Sequence, residues 1–283
     1  MTGLTTLRPV ATGRSRILGI VGHPIAQVRA PQMWSELFRH NNIDIVCVPL
    51  HVRPENLDGF LLTMKSLENL AGLIVTVPHK PAAVLSVSHP TERAELVGAV
   101  NILRLDSAGD WHGDIVDGAG FVAGLLARGQ RVAGRRALVV GAGGVGTAIA
   151  VALAQAGVAE VAVSDVALDR AELLVSKIAV TGVSARVSDP DAHGFDLVVN
   201  ASPVGMKADD PLPIRCEHLG PDAIAADVVM YPGSTKFLTV AQERGCFVQP
   251  GSYMMDHQIS VMAEFFGFTG GDWSTDAVAR TGF

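Results

Sequence analysis

Cysteine, lysine and long apolar runs are all scarce in this chain of 283 residues. The three cysteines, Cys47, Cys216 and Cys246, lie far apart, each in or beside an apolar run. That spacing excludes a disulfide framework and reads as buried free thiols of a cytoplasmic protein. Nine histidines occur, but none in H-x-x-x-H or C-x-x-C spacing and none at ligand intervals from carboxylates. No metal is therefore expected. No apolar run reaches the roughly 18–20 residues that span a bilayer, so no membrane partner is expected either. The start, Met1 to Arg16, is polar and lacks the apolar stretch of a secretory signal; it reads as a frayed tail. A net charge of −6 provides no basic surface for nucleic acid. There is no internal repeat and no low-complexity segment. What is present is 48% apolar and 18% charged, a soluble globular balance long enough for two domains.

The most informative stretch runs from Arg136 to Asp165. The apolar run Ala137–Val140 leads into Gly141-Ala142-Gly143-Gly144-Val145-Gly146. A helical pattern follows from Thr147 to Ala156, closed by Gly157. A second apolar run, Val158–Val163, ends at Ser164-Asp165. Strand, glycine-rich turn, helix, strand and acid make a dinucleotide-binding βαβ unit. Gly141 permits the tight turn, Gly143 lets backbone approach a pyrophosphate, and Gly146 lets helix and strand pack closely. The helix N-terminus offers N–H groups and a positive dipole end to phosphate. Asp165, nineteen residues past Gly146, is placed to accept hydrogen bonds from a ribose diol. A 2′-phosphate would meet that carboxylate as like charge, and no Arg or Lys follows until Arg170. NAD is thus the expected cofactor rather than NADP.

Strands and helices alternate along the rest of the chain. Strands are predicted over Ile17–Val21, Ile45–Leu50, Gly72–Val77 and Leu96–Leu105, with helices over Pro31–His40 and from Pro54 to Leu67. After Asp165 come a helix over Leu168–Ala179, strands over Phe195–Val199 and Ile224–Met230, the latter ended by Tyr231-Pro232, and a helix over Thr235–Gly245. A short strand begins at Phe247–Val248. A Met- and aromatic-rich helix follows over Tyr253–Phe266 and is expected to return to the N-terminal part. The fold class is α/β in two domains: an N-terminal, mostly parallel αβ sandwich domain and a Rossmann dinucleotide-binding domain. The expected division gives residues 1–117 plus 252–283 to the substrate and 118–251 to the NAD, with crossings near Asp117 and Gly251.

Only five lysines occur against seventeen arginines, and Lys80 follows the strand-ending Ile74-Val75-Thr76-Val77-Pro78-His79. Ligands bind beyond the carboxyl ends of strands in such sheets. A lysine there can exchange a proton with a substrate hydroxyl, or it is simply an exposed lysine at a helix start. Asp114 and Asp117 lie in a Gly-rich junction, where a carboxylate could pair with Lys80 or merely serve a turn. Asn101 and Gln258 are polar residues in apolar surroundings, ligands or satisfied core amides.

Taken together these residues resemble the shikimate/quinate dehydrogenase family over nearly the whole chain. The resemblance rests on Gly22-His23-Pro24-Ile25-Ala26, Val75–Lys80, Gly98-Ala99-Val100-Asn101, Gly113–Gly118 and Gly141–Gly146. It continues through Asn200-Ala201-Ser202-Pro203-Val204-Gly205-Met206, Asp227 through Thr235, and Met254-Met255-Asp256-His257-Gln258. It implies a two-domain enzyme that oxidises a ring alcohol of a cyclic hydroxy acid with a nicotinamide and a Lys–Asp pair. That pair is Lys80 and Asp117, with Thr76, Asn101 and Gln258 toward the substrate hydroxyls. Cofactor contacts are implied at Gly141 to Gly146, Asp165, Asn200, Ala201, Val228 and Gly251. The partner is then a small molecule, with the chain a monomer or homodimer.

The departures from the family pattern are informative. Where the family has His-Ser-x-Ser-Pro, this chain has Gln27-Val28-Arg29-Ala30-Pro31, losing two hydroxyls that hold a carboxylate. Family Asn, Asn, Thr and Tyr positions fall on Ile74, Ile115, Val116 and Met230. Each lost hydroxyl costs about 1–3 kcal/mol of binding if nothing replaces it. A re-shaped, more apolar substrate pocket is expected, with poor activity on shikimate. Gln27 or Arg29 could instead take over the carboxylate. The Asn-Arg-Thr typical of NADP-using members is replaced by Ser164-Asp165-Val166, in line with NAD. A nucleotide-sensing protein that has lost turnover is the rival reading, and retention of both Lys80 and Asp117 argues against it.

Overall fold

The computed structural model describes residues 11–230 and 233–274. Most of the expected tail and the strand-ending Tyr231-Pro232 lie outside these residues. The chain divides into two compact units. One holds residues 1–90, 100–114 and 263–283; the other holds 91–99 and 115–262. The second limit differs from 251/252 because the last helix, α9 (Gly251–Phe265), straddles the boundary; the first falls at 114/115 rather than 117/118, and residues 91–99 also go to the second unit. The early turns of α9 are tied to the second unit: Met254 belongs to that unit's core beside Phe121 and Leu125.

The first unit is built on a six-stranded sheet. In chain order its elements are β1 (Arg16–Gly22), α1 (Ala30–His40), β2 (Ile45–His51), α2 (Leu57–Met64), β3 (Leu70–Val75), α3 (Lys80–Ala83) and β4 (His89–Pro90). They are followed, after α4 (Glu92–Val97) of the second unit, by β5 (Ile102–Leu105) and β6 (Trp111–Asp114). The spatial order is β2-β1-β3-β5-β6-β4. β1 pairs in parallel with β2 and β3, and β4 with β6, while the β5–β6 hairpin runs antiparallel. Leu18, Val21 and Leu73 are buried between strands and helices. The apolar stripe of α1, with Trp34, Leu37 and Phe38, meets Phe266, Phe268 and Trp273 in an aromatic cluster whose rings lie 5.4–6.4 Å apart. The edge-on and tilted geometries suit the ring quadrupoles.

The expected strand over Leu96–Leu105 proves to be two elements. Thr91 accepts a hydrogen bond from the Ala94 N–H, and Glu92 and Glu95 sit in the first turn of α4. Gly98, at φ 75°, ends the helix in the left-handed region. Cap and dipole chemistry at the start and glycine at the end outweigh the apolar run. The Gly-rich junction is likewise not all turn: Asp114 ends β6 and Asp117 begins α5 (Asp117–Ala127).

The second unit continues with β7 (Arg136–Val140), α6 (Gly144–Gln155), β8 (Glu160–Ser164), α7 (Leu168–Ala179), β9 (Ser184–Val187) and β10 (Leu197–Asn200). Then come β11 (Ile224–Asp227), α8 (Lys236–Glu243), β12 (Phe247–Gln249) and α9. All its strands are parallel, in the order β12-β11-β10-β7-β8-β9. Numbered within the unit this is 3-2-1-4-5-6, the doubly wound Rossmann arrangement, with its switch point between β7 and β10. Alternate strand residues feed two cores. Ala137, Val139, Val161 and Leu197 face one side with α5, α6 and α7; Leu138, Ala162, Val198 and Ala225 face the other with α8. Helices α5 and α6 approach closely at Gly118, where a Cβ would stand 2.0 Å from the Ala148 carbonyl oxygen.

All three cysteines are buried with free thiols. Burial pushes the Cys47 thiol up to about 12 and that of Cys216 up to about 11, so neither is a ready nucleophile. No helix among the described residues is long and apolar enough to cross a membrane.

Candidate active site

Each unit carries a group of the expected residues. In the second unit β7 runs straight into the glycine-rich turn. Gly141 has φ 104° and donates its N–H to the Ser164 carbonyl at 2.7 Å. Gly146 packs against that turn so tightly that a Cβ would lie 1.8 Å from the Gly141 oxygen. Around Gly143 and Gly144, by contrast, an added Cβ would meet nothing within 4 Å. Helix α6 begins there with Gly143 as N-cap and no side-chain cap. An open, side-chain-free backbone at an uncapped helix N-terminus is what a pyrophosphate requires. The turn thus fits a dinucleotide.

Asp165 lies one residue past β8 and holds this turn in shape. One carboxylate oxygen accepts the Ala142 N–H at 2.6 Å and the other the Ala167 N–H at 2.9 Å. Each oxygen keeps a further lone pair for a ligand hydroxyl. A cleft of ≈ 660 Å³ adjoins it, lined by Asp165, Arg186, Ser188, Asp191 and Arg215 among others. The two arginines went unnoticed in the sequence, since they follow Asp165 by more than twenty residues. Both are engaged: Arg186 with Glu160 at 2.6 Å, and Arg215 with Asp191 at 3.1 Å. Hydrogen bonds from Arg136 and then Arg186 hold the Glu160 carboxyl below its ordinary range.

At the end of β10, Asn200 is fully buried and its side chain serves the loop that follows. Its Nδ2 donates to Val204 O at 2.9 Å and to Asp227 Oδ1 at 3.0 Å; its Oδ1 accepts from the Ser202 N–H and hydroxyl. Ala201 lies against Gly141. Asp227 also accepts from the Val229 N–H at 2.9 Å and the Thr235 hydroxyl at 2.8 Å. Burial still raises its carboxyl above the ordinary value, despite these three donors. Asp227 was not among the expected site residues, because only the β10–β11 register brings it to Asn200. Val228 follows, its N–H bonded to the Asn200 carbonyl, and its carbonyl leaves Gly251 no room for a Cβ. The structure therefore gathers Gly141–Gly146, Asp165, Asn200, Ala201, Val228 and Gly251 along the carboxyl edge of one sheet.

The second unit also contains Asp117 and Gln258. Asp117 is buried at the first turn of α5. Gln258 is buried on α9, and its Nε2 has no hydrogen-bond partner among the described residues. A buried unpaired amide donor is costly unless a ligand uses it. A separate apolar cavity of ≈ 320 Å³ lies beside α5 and α6, lined by Val97, Val122, Ala148 and Val151 among others. Its apolar walls do not suit polar chemistry.

In the first unit the carboxyl ends of β1 and β3 come together. The His23 N–H donates to Val77 O at 3.0 Å, and the Thr76 N–H to Val21 O at 2.9 Å. Lys80 opens α3, and its carbonyl accepts the Val100 N–H at 3.0 Å. Asn101 is buried; its carbonyl accepts from the Val75 N–H at 2.7 Å and its N–H donates to Asp114 O at 2.8 Å. Buried His79 ties this segment to the Val52 carbonyl at 2.8 Å. Thr76, Lys80 and Asn101 are thus held on one strand-end platform. Gln27 is exposed and spends its amide on Pro24 O at 2.8 Å, while Val28 and Ala30 are half-buried at the start of α1. His23 and His51 form a stacked pair with ring nitrogens 2.9 Å apart. Sequence spacing gave no sign of that pair.

Residues 20–103 match the model of the shikimate dehydrogenase substrate-binding domain. The chain is 35% identical over 256 residues to the shikimate dehydrogenase (NADP(+)) of Rubrobacter xylanophilus, covering 88% of this chain and 90% of that protein. The chain belongs to the shikimate dehydrogenase family. As a member it is an oxidoreductase that uses a nicotinamide dinucleotide. A family structure, shikimate 5-dehydrogenase from Listeria monocytogenes in complex with shikimate and NAD, is similar at TM-score 0.90 and 28% identity, over 98% of this chain and 99% of that one. The ligand-free 5-ketofructose reductase of a Gluconobacter strain is also similar, at TM-score 0.87 and 27% identity, over 95% and 98%. Of the apolar replacements, Val28 and Ala30 are half-buried and Met230 is exposed. Ile74 and Val116 are buried, and Val116 is the N-cap of α5 without a side-chain cap.

Proposed function

We propose that this family member is an NAD-dependent dehydrogenase of a cyclic hydroxy acid or related ring alcohol, with a pocket altered from that of shikimate dehydrogenases. What chiefly supports the reading is the strand-end platform that holds Thr76, Lys80 and Asn101 in one place. Lys80 takes the proton of the substrate hydroxyl at Nζ, and Asp117 holds and polarises that hydroxyl. Thr76, Asn101 and the unpaired Gln258 amide orient the ring hydroxyls. The bound nicotinamide supplies the hydride acceptor for the adjacent carbon. Glycine backbone at 143 and 144 receives the pyrophosphate, and Asp165 the adenosine ribose. Asp165 disfavours a 2′-phosphate, and Arg186 and Arg215, the nearby cations, are already paired with carboxylates.

Without the hydroxyls that Val28 and Ala30 replace, the substrate is less polar at its acid end than shikimate, or its acid lies toward Gln27 or Arg29. The test is a panel of cyclic hydroxy acids and polyols with NAD and NADP side by side, read by reduced-cofactor absorbance. On the substrate found, Lys80→Ala should lower kcat by about 10²–10⁴-fold and leave NAD affinity unchanged. Near-normal kcat in that variant refutes the role given to Lys80. Equal or better turnover with NADP in the unaltered protein refutes the cofactor assignment.

A further inference from the structure

The nine histidines show no metal spacing in sequence, yet three ligand-bearing side chains of the first unit converge on one spot. β4 pairs in parallel with β6, and the register sets His89 opposite His112. Paired residues in such a ladder point to the same face. The two rings lie 4.6 Å apart between centroids. The β5–β6 hairpin then folds Asp106 over them, and its Oδ2 lies 3.0 Å from His112 Nε2. One donor atom from each of His89, Asp106 and His112 lies within 4.8 Å of the others.

We propose that His89, Asp106 and His112 form a binding site for a borderline divalent transition-metal ion, of which Zn²⁺ is the type, separate from the residues assigned to substrate and cofactor. Two imidazoles and one carboxylate are a donor set for Zn²⁺, Ni²⁺ or Co²⁺ rather than for Mg²⁺ or Ca²⁺. Metal–nitrogen and metal–oxygen bonds of about 2.0–2.2 Å put neighbouring donors about 3.0–3.6 Å apart. His112 Nε2 and Asp106 Oδ2 already meet that spacing, with a proton where the ion goes. His89 is exposed, so its ring is free to turn inward by the remaining distance. The carboxylate is also pre-oriented. Its second oxygen accepts the Ala108 N–H at 2.8 Å and the Asp110 N–H at 3.0 Å. Supporting bonds of this kind aim a ligand at its metal. The nearby Lys65 ammonium is engaged with Asp110, at 3.5 Å, rather than with Asp106. With three protein donors, water completes the coordination.

The test is calorimetric titration of ZnCl₂ into tag-free, chelator-stripped, full-length protein at pH 7.5 in a non-coordinating buffer. One equivalent should bind with micromolar or tighter affinity. His89→Gln and His112→Gln should each weaken it at least 10-fold, while His51→Gln, in a separate histidine pair with His23, should leave it unchanged. Because His89 is exposed, His89→Gln should retain the native circular dichroism and keeps the test open should His112→Gln fail to fold. Co²⁺ in place of Zn²⁺ should give visible d–d bands that His89→Gln abolishes. No binding below millimolar Zn²⁺, or binding that neither His89→Gln nor His112→Gln changes, overturns the proposal.

Discussion

Replacing Asp227 by Ala and by Asn separates its hydrogen bonds from its charge. The carboxylate accepts from Val229 N–H, Asn200 Nδ2 and Thr235 Oγ1, all buried. Ala removes both acceptor oxygens and with them all three hydrogen bonds. Thr235 can turn its hydroxyl elsewhere, and Asn200 keeps its bond to Val204 O. The Val229 N–H and one Asn200 N–H are then left unpaired, each costing about 1–3 kcal/mol. Relief of burying a charge offsets part of this, so Asp227→Ala should cost about 2–4 kcal/mol. Asn keeps Oδ1 for Val229 and Asn200 and offers an N–H₂ to Thr235 Oγ1, which already accepts from the Leu238 N–H at 3.3 Å and has a second lone pair. Asp227→Asn should therefore cost no more than about 1 kcal/mol. The sign of the pH effect follows from the raised carboxyl. An acid whose folded value is raised stabilises fully below its unfolded value, near 3.9, and loses that contribution as pH rises through the folded value. The unaltered protein should gain stability relative to Asp227→Asn as pH falls from 7 through that window. Tryptophan emission is the wrong probe, because Trp34, Trp111 and Trp273 all belong to the first unit. Urea unfolding by far-UV circular dichroism, with amide exchange at Val229, reads the second. Equal costs for Ala and Asn, or an Ala cost below 1 kcal/mol, would refute the reasoning.

Gly146→Ala should destabilise the second unit by at least about 1–3 kcal/mol, since its Cβ meets backbone at 1.8 Å, and should weaken dinucleotide binding; an unchanged melting temperature and cofactor Kd would contradict the tight-turn argument. Asp165→Asn keeps a backbone acceptor but removes the charge. Opposing a 2′-phosphate across about 5 Å in water, that charge is worth a factor of about 10, so the NADP-to-NAD ratio of kcat/KM should rise about 10-fold; no change would remove Asp165 from cofactor choice. Val28→Ser with Ala30→Ser should lower the KM for shikimate at least 10-fold, at about 1–3 kcal/mol per restored bond. Efficient shikimate turnover by the unaltered protein would show instead that another group holds the carboxylate.

The dinucleotide-binding turn was legible in the sequence because its parts are contiguous. Strand, glycines, helix and Asp165 fall within thirty residues, and each glycine answers a local backbone demand. The same holds for α7, whose periodic pattern gave Leu168–Ala179 with both limits as found. Family membership was legible too, since motifs in order survive without any knowledge of packing. Short elements were not. The α4 helix depends on a cap at Thr91 and a left-handed Gly98, which an apolar run conceals, and β4 is only two residues long. What the tertiary structure alone decided is which distant side chains meet. Asp227 reaches Asn200 through the β10–β11 register, and Arg186 lines the cleft beside Asp165 through β9. His89 joins His112 and Asp106 through the β4–β6 ladder. Periodicity along a chain records which face each residue takes. The register between strands, set by the packing of whole layers, determines what stands opposite it.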